Sequence, residues 1–137
     1  MLYLSSCPED DYLCTMKIAW ITIYVRDMEE SLAFYTQILG MKVSRSFTGG
    51  GGVNIHFLDG KGADLELIHD PNKTEVNCGT DVSVGLLVDD LDATMTHLKE
   101  QGIANIVGPI SPNPHLRFIF IKDPNGFTVQ LVEQRQQ

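Results

Sequence analysis

Residues Ile18–Val43 read IAWITIYVRDMEESLAFYTQILGMKV, and the reading of this stretch decides the fold. Ile18–Val25 alternates and is rich in β-branched and aromatic residues, the pattern of a half-buried strand. Ile21, Ile23 and Val25 make one apolar face, while Trp20, Thr22 and Tyr24 make the other. Asp27 follows as an N-cap, with Glu30 placed to complete a capping box. Apolar residues then recur at Met28, Leu32, Tyr35 and Leu39, widened by Phe34 and Ile38, and Gly40 supplies a helix stop. One strand–helix unit cannot bury both apolar surfaces by itself, so the rest of the chain must cover them.

What covers them is a second copy of the same pattern. ITIYVRDMEESLAFYTQIL (Ile21–Leu39) aligns with VGLLVDDLDATMTHLKEQG (Val84–Gly102) at an offset of 63. GADLELIH (Gly62–His69) aligns with GFTVQLVE (Gly126–Glu133) at an offset of 64. Each half therefore reads strand, helix, then three strands. The later strands of the first half are expected at Lys42–Phe47, Val53–Leu58 and Asp64–His69. The second half is expected to place strands at Val82–Val88, Ile103–Val107, Leu116–Lys122 and Phe127–Glu133, with a helix at Leu91–Gln101. Module one thus spans residues 16–70, a polar, turn-rich linker 71–80, and module two 81–133, within one domain over 16–137.

Alternation assigns faces to these strands. The helix sides are expected to carry Ile21, Ile23, Val25, Val53, Ile55, Phe57, Leu65 and Leu67, and in module two Val84, Leu86, Leu116, Phe118, Phe120, Val129 and Leu131. The opposite sides would carry Trp20, Thr22, Tyr24, His56, Glu66, Ser83, Arg117 and Gln130. Turned toward each other, those mixed polar and aromatic faces would enclose a ligand cavity.

Composition narrows the partners. The formal net charge is −8 and no Lys/Arg cluster is present, which argues against nucleic acid or an anionic membrane. No apolar run reaches membrane-spanning length. Three cysteines, an odd count without metal-site spacing, point to a reducing, cytoplasmic setting. Residues 1–15 lack a basic start and a sustained apolar core, so they read as a dispensable leader, not a signal peptide. Gly49–Gly52 lacks the Lys-Ser/Thr of a phosphate loop and reads as a hairpin connection. Asp90, as N-cap of the second helix, accounts for the acidic VDDLD run (Val88–Asp92) without an ion.

The paired βαβββ modules, the VRDMEESLAFYTQILGMKV helix entry and the KDPNGFTVQLVE ending resemble the vicinal oxygen chelate superfamily. That superfamily includes glyoxalase I, bleomycin-resistance proteins, fosfomycin-resistance enzymes and extradiol dioxygenases. The resemblance covers Met16–Glu133 and implies an α+β fold of two tandem modules forming a curved mixed sheet around a cavity. It places the positions of the family's metal ligands on Trp20, Glu66, Ser83 and Gln130, and the internal repeat pairs Trp20 with Ser83 and Glu66 with Gln130. Only Glu66 is a strong ligand: an indole has no lone pair to give, and serine and glutamine oxygens are weak. No cofactor is therefore expected. The implied function is binding of a small organic molecule by Trp20, Tyr24, His56, Ser83, Arg117 and Gln130, as in the drug-sequestering branch. The alternatives are a metal-dependent lyase or isomerase of the glyoxalase type, and a metal-free enzyme with Glu66 as general base. The resemblance also implies a homodimer.

Overall fold

The computed structural model describes residues 16–135, so the proposed leader lies outside it. Strand β1 (Trp20–Tyr24) runs into helix α1 (Met28–Leu32), which continues as a π-helix over Ala33–Ile38. Strands β2 (Val43–Thr48), β3 (Asn54–Leu58) and β4 (Asp64–His69) complete module one. Module two repeats the plan with β5 (Ser83–Leu87), α2 (Leu91–Glu100), β6 (Val107–Asn113), β7 (Leu116–Lys122) and β8 (Thr128–Gln134). Each module is a four-stranded mixed sheet, in the orders β1-β4-β3-β2 and β5-β8-β7-β6. The first strand of each lies parallel to the last, and the other pairs are antiparallel. The α+β fold of two βαβββ modules expected from the repeat is the one found.

Local chemistry explains the helix ends. The Asp27 carboxylate accepts the Glu30 amide at 2.9 Å, and Asp90 accepts the Ala93 amide at 3.0 Å, so both N-caps form as expected. The reciprocal half of the first capping box does not form, because Glu30 turns to the Arg26 guanidinium at 2.6 Å instead. The widened turn ends where Leu39 N–H donates to Phe34 carbonyl oxygen at 3.0 Å, and Gly40, at φ +75°, stops the helix.

The helix sides of both sheets merge into one core. Ile23, Leu65 and Leu67 of module one join Ile119, Ile121, Val129 and Leu131 of module two, with Tyr35, Leu91 and Leu98 from the helices. A polar clasp crosses the same boundary. The Tyr35 hydroxyl donates to Asp123 at 2.8 Å, Asn125 Nδ2 to Ser31 Oγ at 3.1 Å, and Arg26 N–H to Asn125 Oδ1 at 2.8 Å. Burial, then the charge and hydrogen bond of Asp123, push the Tyr35 phenol far above its ordinary range.

Because the helix sides meet each other, the opposite faces of the two sheets stay exposed within one chain. Among the described residues, Trp20 and Tyr24 on one of these faces and Leu87 on the other are exposed, so the faces do not close on each other within one chain. Two strand faces and one strand position also differ from expectation. In β3, Phe57 stands opposite Glu66 while His56 stands opposite Leu67, so Ile55 and Phe57 lie on the open face and His56 on the helix side. In β7, Phe118 and Phe120 stand opposite Val132 and Gln130, while Arg117 stands opposite Glu133 on the helix side. Strand β6 begins at Val107, where the expected strand ended, and runs through Pro109 and Pro112. It is an edge strand, and its pairing with β7 shifts register between Val107 and Ile110 and between Ile110 and Asn113, where Pro109 and Pro112 lack an N–H.

Candidate functional site

The open face of module one is built row by row from strand pairing. Thr22 on β1, Glu66 on β4, Phe57 on β3 and Arg45 on β2 stand side by side across the sheet. The Trp20 ring meets Phe57 edge-on, with centroids 5.4 Å apart, and Phe47 lies 5.9 Å from Phe57 on the other side. Phe57 is buried beneath these groups yet takes no part in the main core. Trp20 is 48% exposed and Tyr24 is also exposed. The Glu66 carboxylate accepts a hydrogen bond from Thr22 Oγ1 at 2.6 Å. Neither Gln130 nor Arg117 is its partner.

The open face of module two repeats this arrangement with weaker chemistry. Ser83 takes the place of Trp20, Gln130 that of Glu66 and Phe120 that of Phe57, while Gly85 stands opposite Gln130. A Cβ on Gly85 would lie 3.4 Å from Gln130 Oε1, so the missing side chain leaves room for the amide. Trp20, Tyr24, Glu66, Ser83 and Gln130 thus lie on the open faces as expected, split between the two sheets.

Two residues expected at the site are elsewhere. His56 faces the helix side, where its Nδ1 is buried without a partner among the described residues. Arg117 pairs with Asp92 at 3.1 Å and with Glu133 at 3.5 Å. A one-residue change of pairing moves every side chain of a strand to the other face, and the observed pairings put both on the helix side. His115 sits in the β6–β7 turn and is exposed.

Arg117 belongs to a structural cluster instead. Glu133 accepts the first amide of α2, Leu91 N–H, at 2.7 Å and the Arg135 guanidinium at 2.7 Å. Those contacts, the Leu91 amide first, hold the Glu133 carboxyl below the usual carboxylate range. Its folded pKa is lower than its unfolded one. The stabilisation is therefore present above about pH 4.3 and lost as pH falls through the lowered folded value. Glu133→Gln should flatten the pH dependence of the melting temperature between about pH 4.3 and the lowered folded value. Parallel curves for parent and variant would count against the linkage.

A groove of about 910 Å³ opens between the modules, lined among others by Leu39, Met41, Lys61, Leu86, Leu87 and His97. None of the open-face residues of module one reaches it. A smaller cavity of about 330 Å³ lies along the free edge of β1, where Thr22 and Tyr24 meet Lys73, Asn77 and Cys78. The Lys73 ammonium stands 5.3 Å from the centre of the Tyr24 ring. Among the described residues, no three His, Cys, Asp or Glu side chains converge as a metal site within one chain. No described helix is long and apolar enough to cross a membrane.

Residues 17–131 match the family model described as the Glyoxalase/Bleomycin resistance protein/Dioxygenase superfamily. The chain belongs to this superfamily. A probable lactoylglutathione lyase of Vibrio parahaemolyticus is 28% identical over 134 residues, covering 88% of this chain and 92% of the relative. The crystal structure of TnmS3, an antibiotic-binding protein from Streptomyces sp. CB03234, superposes with a TM-score of 0.68 at 26% identity, covering 87% of this chain and 96% of the other. Glyoxalase I of Leishmania major superposes with a TM-score of 0.71 at 21% identity over 87% of each chain, a likeness of fold.

The family's metal chemistry can be tested against these side chains. Trp20 offers only an N–H donor and packs edge-on against Phe57, and Glu66 is engaged with Thr22. Ser83 and Gln130 bring neutral oxygens from the other sheet. One carboxylate with no imidazole is a poor donor set for a first-row metal. The residues do not fit the group.

Proposed function

We propose that this chain binds a small, flat or apolar organic molecule on its open face, without a tightly held first-row metal. The observation that carries this reading is the Trp20–Phe57–Phe47 aromatic surface at the position where a metal-dependent relative needs a ligand. Aromatic side chains give a large contact area at low entropic cost, and half-exposed Trp20 is available for stacking. Glu66, steadied by Thr22, would accept a hydrogen bond from the ligand, and Ser83 and Gln130 would supply neutral polar contacts. The antibiotic-binding relative favours this reading, whereas the lactoylglutathione lyase relative favours catalysis. Metal analysis separates the two. Purified protein should carry far less than one metal per chain, and chelator should leave its melting temperature unchanged, because no ion adds binding free energy to folding. Stoichiometric metal with metal-dependent turnover of a hemithioacetal would overturn the proposal.

The complete site, in this reading, is shared by two copies of the chain. Leu87 is 70% exposed and Val107 57% on the module two face, and the module one face carries its own exposed aromatic surface. Pairing the module one face of one chain with the module two face of another would cover both and bring Glu66 toward Gln130. Light scattering should therefore give a dimer at micromolar concentration. Leu87→Glu should shift it toward monomer, and a monomeric parent protein would refute the shared site.

A further inference from the structure

Arg45 is the one Arg or Lys in the four strands of module one. Its guanidinium carbon lies 3.9 Å from the centre of the Phe57 ring and 5.8 Å from that of Trp20. The ion pairs among the described residues use Arg26, Arg117 and Arg135, and none reaches Arg45. Glu66 stands in the same row but is separated from Arg45 by the Phe57 strand, about two strand spacings or roughly 10 Å away. A cation and a carboxylate thus flank the aromatic surface without neutralising each other. Over a ring face a guanidinium loses none of its N–H donors, which lie in its own plane and match the oxygens of an anion.

From this geometry we infer that Arg45 is a specificity-determining residue that selects aromatic anions, ring systems bearing a carboxylate, sulfonate or phosphate group. The ring of such a ligand stacks on Trp20 while its anionic group meets the Arg45 fork. An aromatic donor substituent, hydroxyl or amine, then reaches Glu66. This inference rests on the small-molecule reading above and narrows it to one charge class. It also runs against the net charge of −8, which by itself would repel anions. Recognition must then come from a local cation held in place by stacking.

The test uses two fluorescent probes that differ in charge: 1-anilinonaphthalene-8-sulfonate and its uncharged relative N-phenyl-1-naphthylamine. Trp20 is the sole tryptophan, so quenching of its emission reports binding at this face. Arg45→Gln should weaken the sulfonate about tenfold and change the neutral probe by less than about twofold. Arg45→Lys, which keeps the charge but not the planar fork, should fall between. Added salt should weaken sulfonate binding to the parent and barely affect it in Arg45→Gln. Melting temperatures near that of the parent establish that both variants are folded. Equal loss of both probes, or no loss of either, would overturn the role of Arg45 while leaving the binding face intact. Failure of both probes to quench Trp20 in the parent protein would overturn the small-molecule reading and this inference together.

Discussion

Asp123→Ala should destabilise the whole domain by about 3 kcal/mol and lower its melting temperature by roughly 10 °C. The carboxylate is buried in the turn between β7 and β8, and four donors converge on it. The Tyr35 hydroxyl, Asn125 N–H and Phe127 N–H each reach it at 2.8 Å, and Asn125 Nδ2 at 3.3 Å. Alanine would leave the fully buried Tyr35 hydroxyl and two backbone amides without an acceptor, and each orphaned group keeps its desolvation cost. The loss also falls on the clasp between α1 and module two, so the modules should melt together. Urea unfolding should show a lower midpoint at an unchanged slope. Tyr35→Phe removes one donor and leaves the carboxylate its others, so its cost should be nearer 1 kcal/mol. Melting of Asp123→Ala within a degree or two of the parent would show that the clasp contributes little.

Trp20→Ala should have the opposite profile. The side chain is half-exposed and lies outside the main core, so stability should change little. Affinity for N-phenyl-1-naphthylamine, read from the probe's own emission, should fall about thirtyfold, equivalent to about 2 kcal/mol of stacking and apolar contact. Trp20→Phe should recover most of it. Unchanged probe affinity in Trp20→Ala would place the ligand elsewhere on the protein, with the groove beside Leu39 and His97 the first place to look.

The elements were readable where local pattern and neighbouring structure agree. β4 and β7 were expected at the bounds observed, and α2 is one residue shorter than expected. The two reversed faces have one common cause. In NIHFL and LRFIFIK both alternate faces carry large apolar side chains, so hydrophobicity alone does not choose between them. The missing signal lay in the DPNG turn. Lys122 pairs with Thr128 across it, and counting back from there puts Ile121 and Ile119 opposite Val129 and Leu131. Phe120 then falls beside Gln130, and by the repeat Phe57 falls beside Glu66. In VSRSFT, Arg45 alternates in phase with Val43 and Phe47, and only the pairing of β2 with β3 sets it beside Phe57 on the open face.

The sequence by itself determined the duplicated βαβββ plan, the two aspartate N-caps and the helix stop at Gly40. Each depends on side chains acting on backbone a few residues away, or on a repeat visible in one dimension. Only the tertiary structure decided that the two helix sides share one core and leave the Trp20 and Ser83 faces exposed. It also decided that Phe57, with Arg45 one strand further out, shares the open-face row of Glu66, while His56 and Arg117 do not. Those outcomes depend on pairing register and on which apolar surface meets which, and a strand with two apolar faces satisfies local rules in either orientation.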